Sequence, residues 1–370
     1  MEILIEELEG SLWIAAVDQG RLEGIEVDPV FEEVRAGYIY WGKISRIDTA
    51  LDAAFVDLDG TNTGLLHNAD VRIKDKNGSY RKGGAEAIGK ALRAGQMVAV
   101  QAKDGFIPQD PDHADKDAAK NPRVSMNIAL PGRYLIHAPQ ESDHRVSRRI
   151  RDKKMRAQLR AMLDSMAGCD RCILRAAAAG IQTDVLVREG RILKAAWEGM
   201  SRYFTGDEPG LIFEGPNAFQ RVVADQAGRN ISRITVTVMD HFQMAEEWCE
   251  LYAPDLVTKI VPLEVPGMDV DLALFEQRDL IGAIESLFHP YALLPGGGTV
   301  ILQETAALIA IDVNRGADTR SALSVNREAA AEIARQIRLR NLGGIVVVDF
   351  LKMKKKVEAD QLVKALQAAF

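Results

Sequence analysis

Cysteine is scarce in this chain: three residues in 370, at positions 169, 172 and 249. An odd and sparse set in a chain this long argues against a disulfide framework and fits a reducing compartment. Cys169 and Cys172 make one CxxC with no second pair, so two ordinary thiols are expected there rather than a metal knuckle. Long apolar runs are missing too. No window approaches the roughly 18 uninterrupted apolar residues of a membrane span, and the acidic start MEILIEELEG has the character of neither a signal nor a transit peptide. A cytoplasmic location follows as the expectation. The six histidines are scattered, which gives no support to a histidine-based acid–base pair. The glycine cluster PGGGT at 295–299 lacks the GK[ST] ending of a phosphate-cradling loop and precedes a strand, so it is expected to be a hairpin turn. There is no period-fixed repeat.

What is present is ordinary globular chemistry, 47% apolar and 27% charged with a formal net charge of -7. The length predicts about two to four domains. The charge is unevenly spread. Residues 1–35 carry ten acidic groups against two basic, whereas residues 145–160 (RVSRRIRDKKMRAQLR) carry eight basic against one acidic. A cluster of that kind steers nucleic acid whatever the whole-chain charge, because screening limits each contact to about 8–10 Å. A solvated helix face is the competing reading.

Hydrophobic periodicity orders the chain. Residues 1–35 alternate around Leu12, Ile14 and Ala16 and again around Leu22, Ile25 and Val27, predicting two or three strands. From Tyr38 the segments YIYWGKISRID, LDAAFVDLDG, TGLLHNAD and GQMVAVQAKDG predict a small β-barrel of the OB type. Two polar stretches, 70–90 and 104–123, are expected to be mobile loops on it. Beyond Met126 a mixed αβ unit follows: a strand near 133–137, a helix in the basic segment, a strand near 172–175 and a helix over about 185–203. From Leu211, NAFQRVVADQAG predicts a helix, ISRITVTVMD a strand, and DLALFEQRDLIGAIESLF one long amphipathic helix.

The last eighty residues carry the chemistry. Strand Thr299–Gln303, a turn, strand Leu308–Val313, a helix over Leu323–Asn341 and the run IVVVDF make strand, helix and strand. Parallel strands joined by a helical crossover end at one edge of a sheet, about 4.8 Å apart, where ligands gather. Asp312 and Asp349 each close an apolar run, where an unpartnered carboxylate is costly. Magnesium is the natural partner, a hard cation that takes one or two protein carboxylates plus water and phosphate oxygens. Asn314, two residues beyond Asp312, falls on the same face and can orient a metal-bound water or the phosphate. The alternative is a pair of aspartates capping backbone N–H groups.

Two resemblances add to this reading. GKISRID, AAFVDLDG, TGLLH and GQMVAVQ resemble the S1 RNA-binding domain. LPGGGTVILQETAALIAIDVNRG, followed by NREAAAEIARQIRLRNLGGIVVVDF, is similar to the catalytic signature of the ribonuclease E/G family, and the similarity runs through almost the whole chain. That resemblance implies an α/β multidomain protein: an RNase H-like scaffold from residues 1–35 and 211–285, an inserted S1 barrel (36–125), a 5′-sensor-like αβ unit (126–210) and a short DNase I-like catalytic subdomain of βαβ form (286–370). It implies that Asp312, Asp349 and Asn314 bind Mg²⁺, with Mn²⁺ as a substitute. The reaction implied is cleavage of single-stranded RNA, such as mRNA or rRNA precursors, to 5′-phosphate and 3′-hydroxyl ends. Phe55 and Lys120 match RNA-clamping positions of the S1 domain, and Leu65 stands where the family has a second stacking aromatic. By alternation alone, Phe55 is more readily barrel core. Arg148 and Arg175 match the pocket that senses a 5′-monophosphate, but Ala176 replaces a threonine. Lys352 stands where the family has a carboxylate. The chain stops at Phe370 before any zinc link, so a homo-oligomer would have to form without zinc. The rival to an enzyme is a non-catalytic RNA-binding protein of the same fold.

Overall fold

The computed structural model describes residues 1–30, 34–75, 77–105, 120–166, 170–263, 273–305 and 307–370. The chain opens with an antiparallel meander, β1 (Glu2–Leu8), β2 (Ser11–Asp18) and β3 (Arg21–Asp28). Strands β4 (Ile39–Asp48), β5 (Ala53–Asp57), β6 (Thr63–His67), β9 (Met97–Ala102) and β10 (Arg123–Ser125) then close into a barrel, sealed by pairing of β4 with β9. Tyr40, Ile44, Val56, Leu66, Val98 and Val100 fill its interior. Pairing of β4 with β9 joins the two ends of the sheet, which is how a small barrel of this kind protects most of its edges.

The stretch 70–90 is not a loop. It folds into a hairpin, β7 (Arg72–Lys74) with β8 (Tyr80–Lys82), and a turn of helix, α1 (Ile88–Ala91). Few apolar anchors are needed because Arg72 is buried and its guanidinium donates to Asn127 Oδ1 and to the carbonyls of Ala69 and Val71. Most of 104–123, and Cys169, lie outside the described residues.

The αβ unit contains β11 (Leu130–Pro131), β12 (Leu135–His137), β13 (Arg145–Val146) and β14 (Cys172–Leu174), in the order β11-β12-β14-β13. It is covered by α2 (Lys153–Ser165) and α3 (Thr183–Ser201). The basic run is therefore not one helix. Arg145 and Val146 pair in parallel with Ile173 and Leu174, and the helix begins only at Lys153, where the Asp152 carboxylate accepts from the N–H groups of Lys154 (2.8 Å) and Met155 (3.1 Å). That is ordinary N-capping.

Strand β15 (Gly210–Phe213) pairs with β4 of the barrel. Chain passes cross there: an added Cβ at Gly215 would lie 2.7 Å from the carbonyl carbon of Gly37, and Gly37 itself sits at φ +94°. Only two residues without side chains permit backbones to touch so closely. Helix α4 (Ala218–Asp225), β16 (Arg233–Val236), α5 (Met239–Tyr252), α6 (Pro254–Val257) and β17 (Ile260–Pro262) complete the first sheet, ordered β17-β16-β1-β2-β3 with β16 and β17 parallel to β1. Cys249 is buried there, its thiol pushed up to about 12 by desolvation, so it is an inert packing group.

The expected long helix over 271–288 is instead broken. Short helices α7 (Ala273–Gln277) and α8 (Ile281–Glu285) are separated by Asp279 at φ +53°, and Leu280 N–H closes the first helix onto the Phe275 carbonyl (2.9 Å). Leu274, Phe275, Leu280 and Ile284 all pack with Leu4 and Leu22. A straight helix could not present all four to the same strands, so packing overrides periodicity. The chain ends with β18 (Tyr291–Leu293), β19 (Thr299–Glu304), β20 (Ile309–Asn314), α9 (Ala322–Leu339), β21 (Val346–Asp349) and α10 (Lys356–Ala369). Among the described residues no helix is long and apolar enough to cross a membrane.

Candidate active site and neighbouring surfaces

The last sheet has the order β18-β19-β20-β21. Its inner face, Val300, Leu302, Ile309, Ile311 and Val313, packs against Val325, Ala329 and Ile333 of α9. Each such side chain contributes about 1.5–3 kcal/mol when fully buried. Because strand side chains alternate, burying Ile309, Ile311 and Val313 sends Asp312 and Asn314 to the opposite, open face. Strand β21 lies parallel to β20 with Asp312 and Asp349 as register partners, so both aspartates stand exposed side by side. Asn314 donates from Nδ2 to Asp312 Oδ2 at 2.8 Å. Among the described residues no backbone N–H is donated to either carboxylate, and neither has an arginine or lysine within ion-pair distance. The capping alternative therefore does not describe this pair.

The surroundings fix this geometry. The turn 295–299 is a hairpin, closed by Leu294 N–H to the Gly298 carbonyl (2.8 Å). A Cβ at Gly298 would lie 2.8 Å from the Asn314 carbonyl oxygen, so glycine lets the turn rest directly on the chain leaving β20. Asn326, on α9 and fully buried, donates to the Leu351 carbonyl (2.8 Å) and accepts from the Leu351 N–H (3.0 Å). It holds the backbone two residues past Asp349 as a neighbouring strand would. Nothing local in the sequence distinguishes Asn326 from a surface amide. Lys352, Lys354, Lys355 and Lys356 follow, all exposed.

Oxygen donors without a competing cation suit a hard divalent ion. Among the described residues no group of three or more His, Cys, Asp or Glu side chains could hold a metal. Two carboxylates, with remaining positions left to water and phosphate, is the arrangement magnesium commonly takes.

On the barrel, Arg46, Phe55, Leu65 and Arg123 are successive register partners across β4, β5, β6 and β10. Phe55 is not core. Ala54 and Val56 point inward, and the half-buried Phe55 ring lies outside with the Arg46 guanidinium 4.2 Å above its centroid. The bulge between Ile44 and Arg46 brings Arg46 opposite Phe55. Leu65 shares this face, and Lys120 is exposed shortly before β10.

Between the αβ unit and α4 a cavity of about 800 Å³ is lined by Ser147, Arg149, Arg175, Ala176, Gln220 and Arg221, among others. Arg175 donates to the Ala224 carbonyl at 3.1 Å, and burial lowers its pKa. Arg221 is already paired with Glu26 (2.8 Å) and Asp28 (2.9 Å). Arg148 is exposed and does not line the cavity; its neighbour Arg149 does. Glu189 of α3, also missed by sequence reasoning, lies nearly buried and accepts from the Tyr134 N–H at 3.0 Å, its carboxyl pushed up to about 7 by desolvation.

Fold and site together define a multidomain α/β chain with an S1-type barrel and an acidic strand-edge site. The sequence model of the Ribonuclease E/G family matches residues 129–370. The chain belongs to that family. It is 27% identical to ribonuclease G of Haemophilus influenzae over 99% of this chain and 74% of that protein. To ribonuclease E of the same organism it is 33% identical, covering 92% of this chain but 36% of that protein. Ribonuclease E of Nostoc sp. is 32% identical over 90% of this chain and 48% of its own length.

Proposed function

We propose that this chain is a magnesium-dependent endoribonuclease that cuts single-stranded RNA during RNA processing or decay in the cytoplasm. The observation that carries this reading is the register pairing of Asp312 with Asp349 on an open sheet face, with Asn314 bonded to the first. The two carboxylates would hold Mg²⁺, or Mn²⁺ in its place, through oxygen. When bound, the ion supplies Lewis-acid stabilisation of charge on the phosphate oxygens. Asn314 fixes the rotamer of Asp312 by occupying one oxygen and leaving the other outward. In the hydrolysis, a water oxygen bonds to phosphorus as the bond to the 3′-oxygen breaks, giving a 5′-phosphate and a 3′-hydroxyl. Lys352 and the lysines after it would hold flanking phosphates.

Other parts of the reading belong to the same proposal. The sheet of three antiparallel strands continued by two parallel ones supports an RNase H-like scaffold over 1–35 and 211–285, with β15 given over to the barrel. The barrel (36–125) would grip RNA through Phe55, Leu65 and Lys120, and the unit 126–210 would receive a 5′ end at Arg175, with Arg148 at its rim. Residues 286–370 would be the catalytic subdomain.

The test is a fluorescent single-stranded oligoribonucleotide incubated with Mg²⁺, then with EDTA. Cleavage that needs the metal, is lost in Asp312→Ala and Asp349→Asn, and leaves RNA affinity within about threefold supports the reading. Tight binding without cleavage by the parent protein would instead establish an RNA-binding protein of this fold. Undiminished cutting by Asp349→Asn would place the site elsewhere.

A further inference from the structure

The open face that carries the two aspartates is not uniformly polar. Tyr291 of β18 pairs with Ile301 of β19, Ile301 with Asp312 of β20, and Asp312 with Asp349 of β21. Directly opposed strand residues share a face, so one row across the sheet reads tyrosine, isoleucine, aspartate, aspartate. Strands are spaced about 4.8 Å apart, which puts Tyr291 about 10 Å from Asp312 along this row. Tyr291 is 43% exposed and its ring stacks on His289, with centroids 5.5 Å apart and planes 11° from parallel. The ring before them, Phe288, is 82% exposed. Aromatic rings are costly to leave in water, and here their backbone is held in place. Arg340 donates to the His289 carbonyl (2.6 Å) and, at 3.4 Å, to those of Ser286 and Tyr291, while Leu302 N–H bonds the Pro290 carbonyl at 2.7 Å.

We propose that His289 and Tyr291 form a base-stacking platform for the RNA strand that passes Asp312 and Asp349. The inference rests on the ribonuclease reading above and adds a positioning element to it. Every nucleobase has a π-face, so such a platform grips without sequence preference. At a stacked rise of about 3.4 Å per nucleotide, the span to Asp312 is covered by about three nucleotides, and by fewer in an extended strand. Continuity with the acidic pair, on one face and in one row, favours a nucleobase over a protein partner. Anchoring a base there would fix which phosphodiester reaches the carboxylates.

The experiment uses the full chain and single-stranded oligoribonucleotides carrying 2-aminopurine at successive positions, in buffer without divalent metal so that no strand is cut. One position should be quenched on binding. That quench should vanish in Tyr291→Leu, which keeps apolar bulk on the edge strand without a ring face, and persist in Tyr291→Phe. Affinity in Tyr291→Leu should fall by about fivefold or more. The loss should disappear on RNA that is abasic at the same position. Quenching unchanged in Tyr291→Leu overturns the proposal. So does a shift in mass by light scattering with RNA binding unaltered, which would make the rings a contact between copies of the chain. Because this readout is binding, it stands apart from the cleavage assay. Failure of the parent protein to cut RNA would sink the ribonuclease reading without touching the quench.

Discussion

Asn326 and Leu351 are joined by a pair of hydrogen bonds, 2.8 and 3.0 Å, in which one buried side-chain amide satisfies both the N–H and the C=O of the partner's backbone. Removing the amide strands both groups in the interior, at a cost of about 1–3 kcal/mol for each unsatisfied group. Asn326→Ala should lower stability in urea by roughly 2–6 kcal/mol. It should also reduce the turnover number more than it raises KM, since the freed segment follows Asp349. A stable variant with unchanged turnover would show that the clamp does not position the site.

The outward-facing, half-buried Phe55 ring gives a second expectation. Stacking of a base on an aromatic ring is worth about 1–3 kcal/mol, whereas the ring contributes little to the barrel core it does not enter. Phe55→Ala should therefore weaken binding to single-stranded RNA by about fivefold to a hundredfold with the melting temperature nearly unchanged. Leu65→Phe, in the adjoining register position, should tighten it. Parallel filter-binding and thermal melts decide the matter, and a collapse in stability with Phe55→Ala would return this ring to the core.

The cavity at Arg175 bears on 5′-end preference. A threonine hydroxyl at 176 would add a hydrogen-bond donor that alanine cannot, so rates on 5′-monophosphate and 5′-hydroxyl RNA should differ by less than about tenfold, or 1.4 kcal/mol. Ala176→Thr should widen the difference. Cleavage kinetics on two oligonucleotides identical except at the 5′ end measure it.

Glu189 sets a pH dependence. Its carboxyl is pushed from 4.5 to about 7 by burial, so between those values the native state holds a proton that the unfolded chain has released. Stability then falls as pH rises through this window, and the full penalty is present above about 7, roughly 3 kcal/mol by linkage. Glu189→Gln should flatten the change in unfolding free energy between pH 5 and pH 8. Denaturation curves at both values test the sign, and an unchanged slope would assign the dependence to other groups.

Much of the site was legible because its signal is local. Apolar runs ending in Asp312 and Asp349, separated by a helical period, could hardly make anything but strand, helix and strand, and the observed strands start and stop within one residue of expectation. What escaped depends on partners distant in sequence. The hairpin at 72–82 is polar and is held from Asn127. The inside and outside of β5 are fixed by Ala54, Val56 and Leu58 entering the barrel core, and a large ring between two apolar neighbours does not reveal by alternation alone that it faces out. Asn326 and Glu189 look like solvated helix residues until the backbone they serve, at Leu351 and Tyr134, folds over them. The break at Asp279 is set by four apolar side chains seeking one sheet.

The crossing of Gly37 and Gly215 ties the chain's path into the barrel to its path out of β15. Two strands of backbone pressed together without side chains behave like the pin of a clasp: they fix an angle while adding almost no bulk. A methyl group at Gly215 would force the two passes apart, so damage at this one spot would be felt first at the joint between β15 and the barrel rather than in the packing of either one.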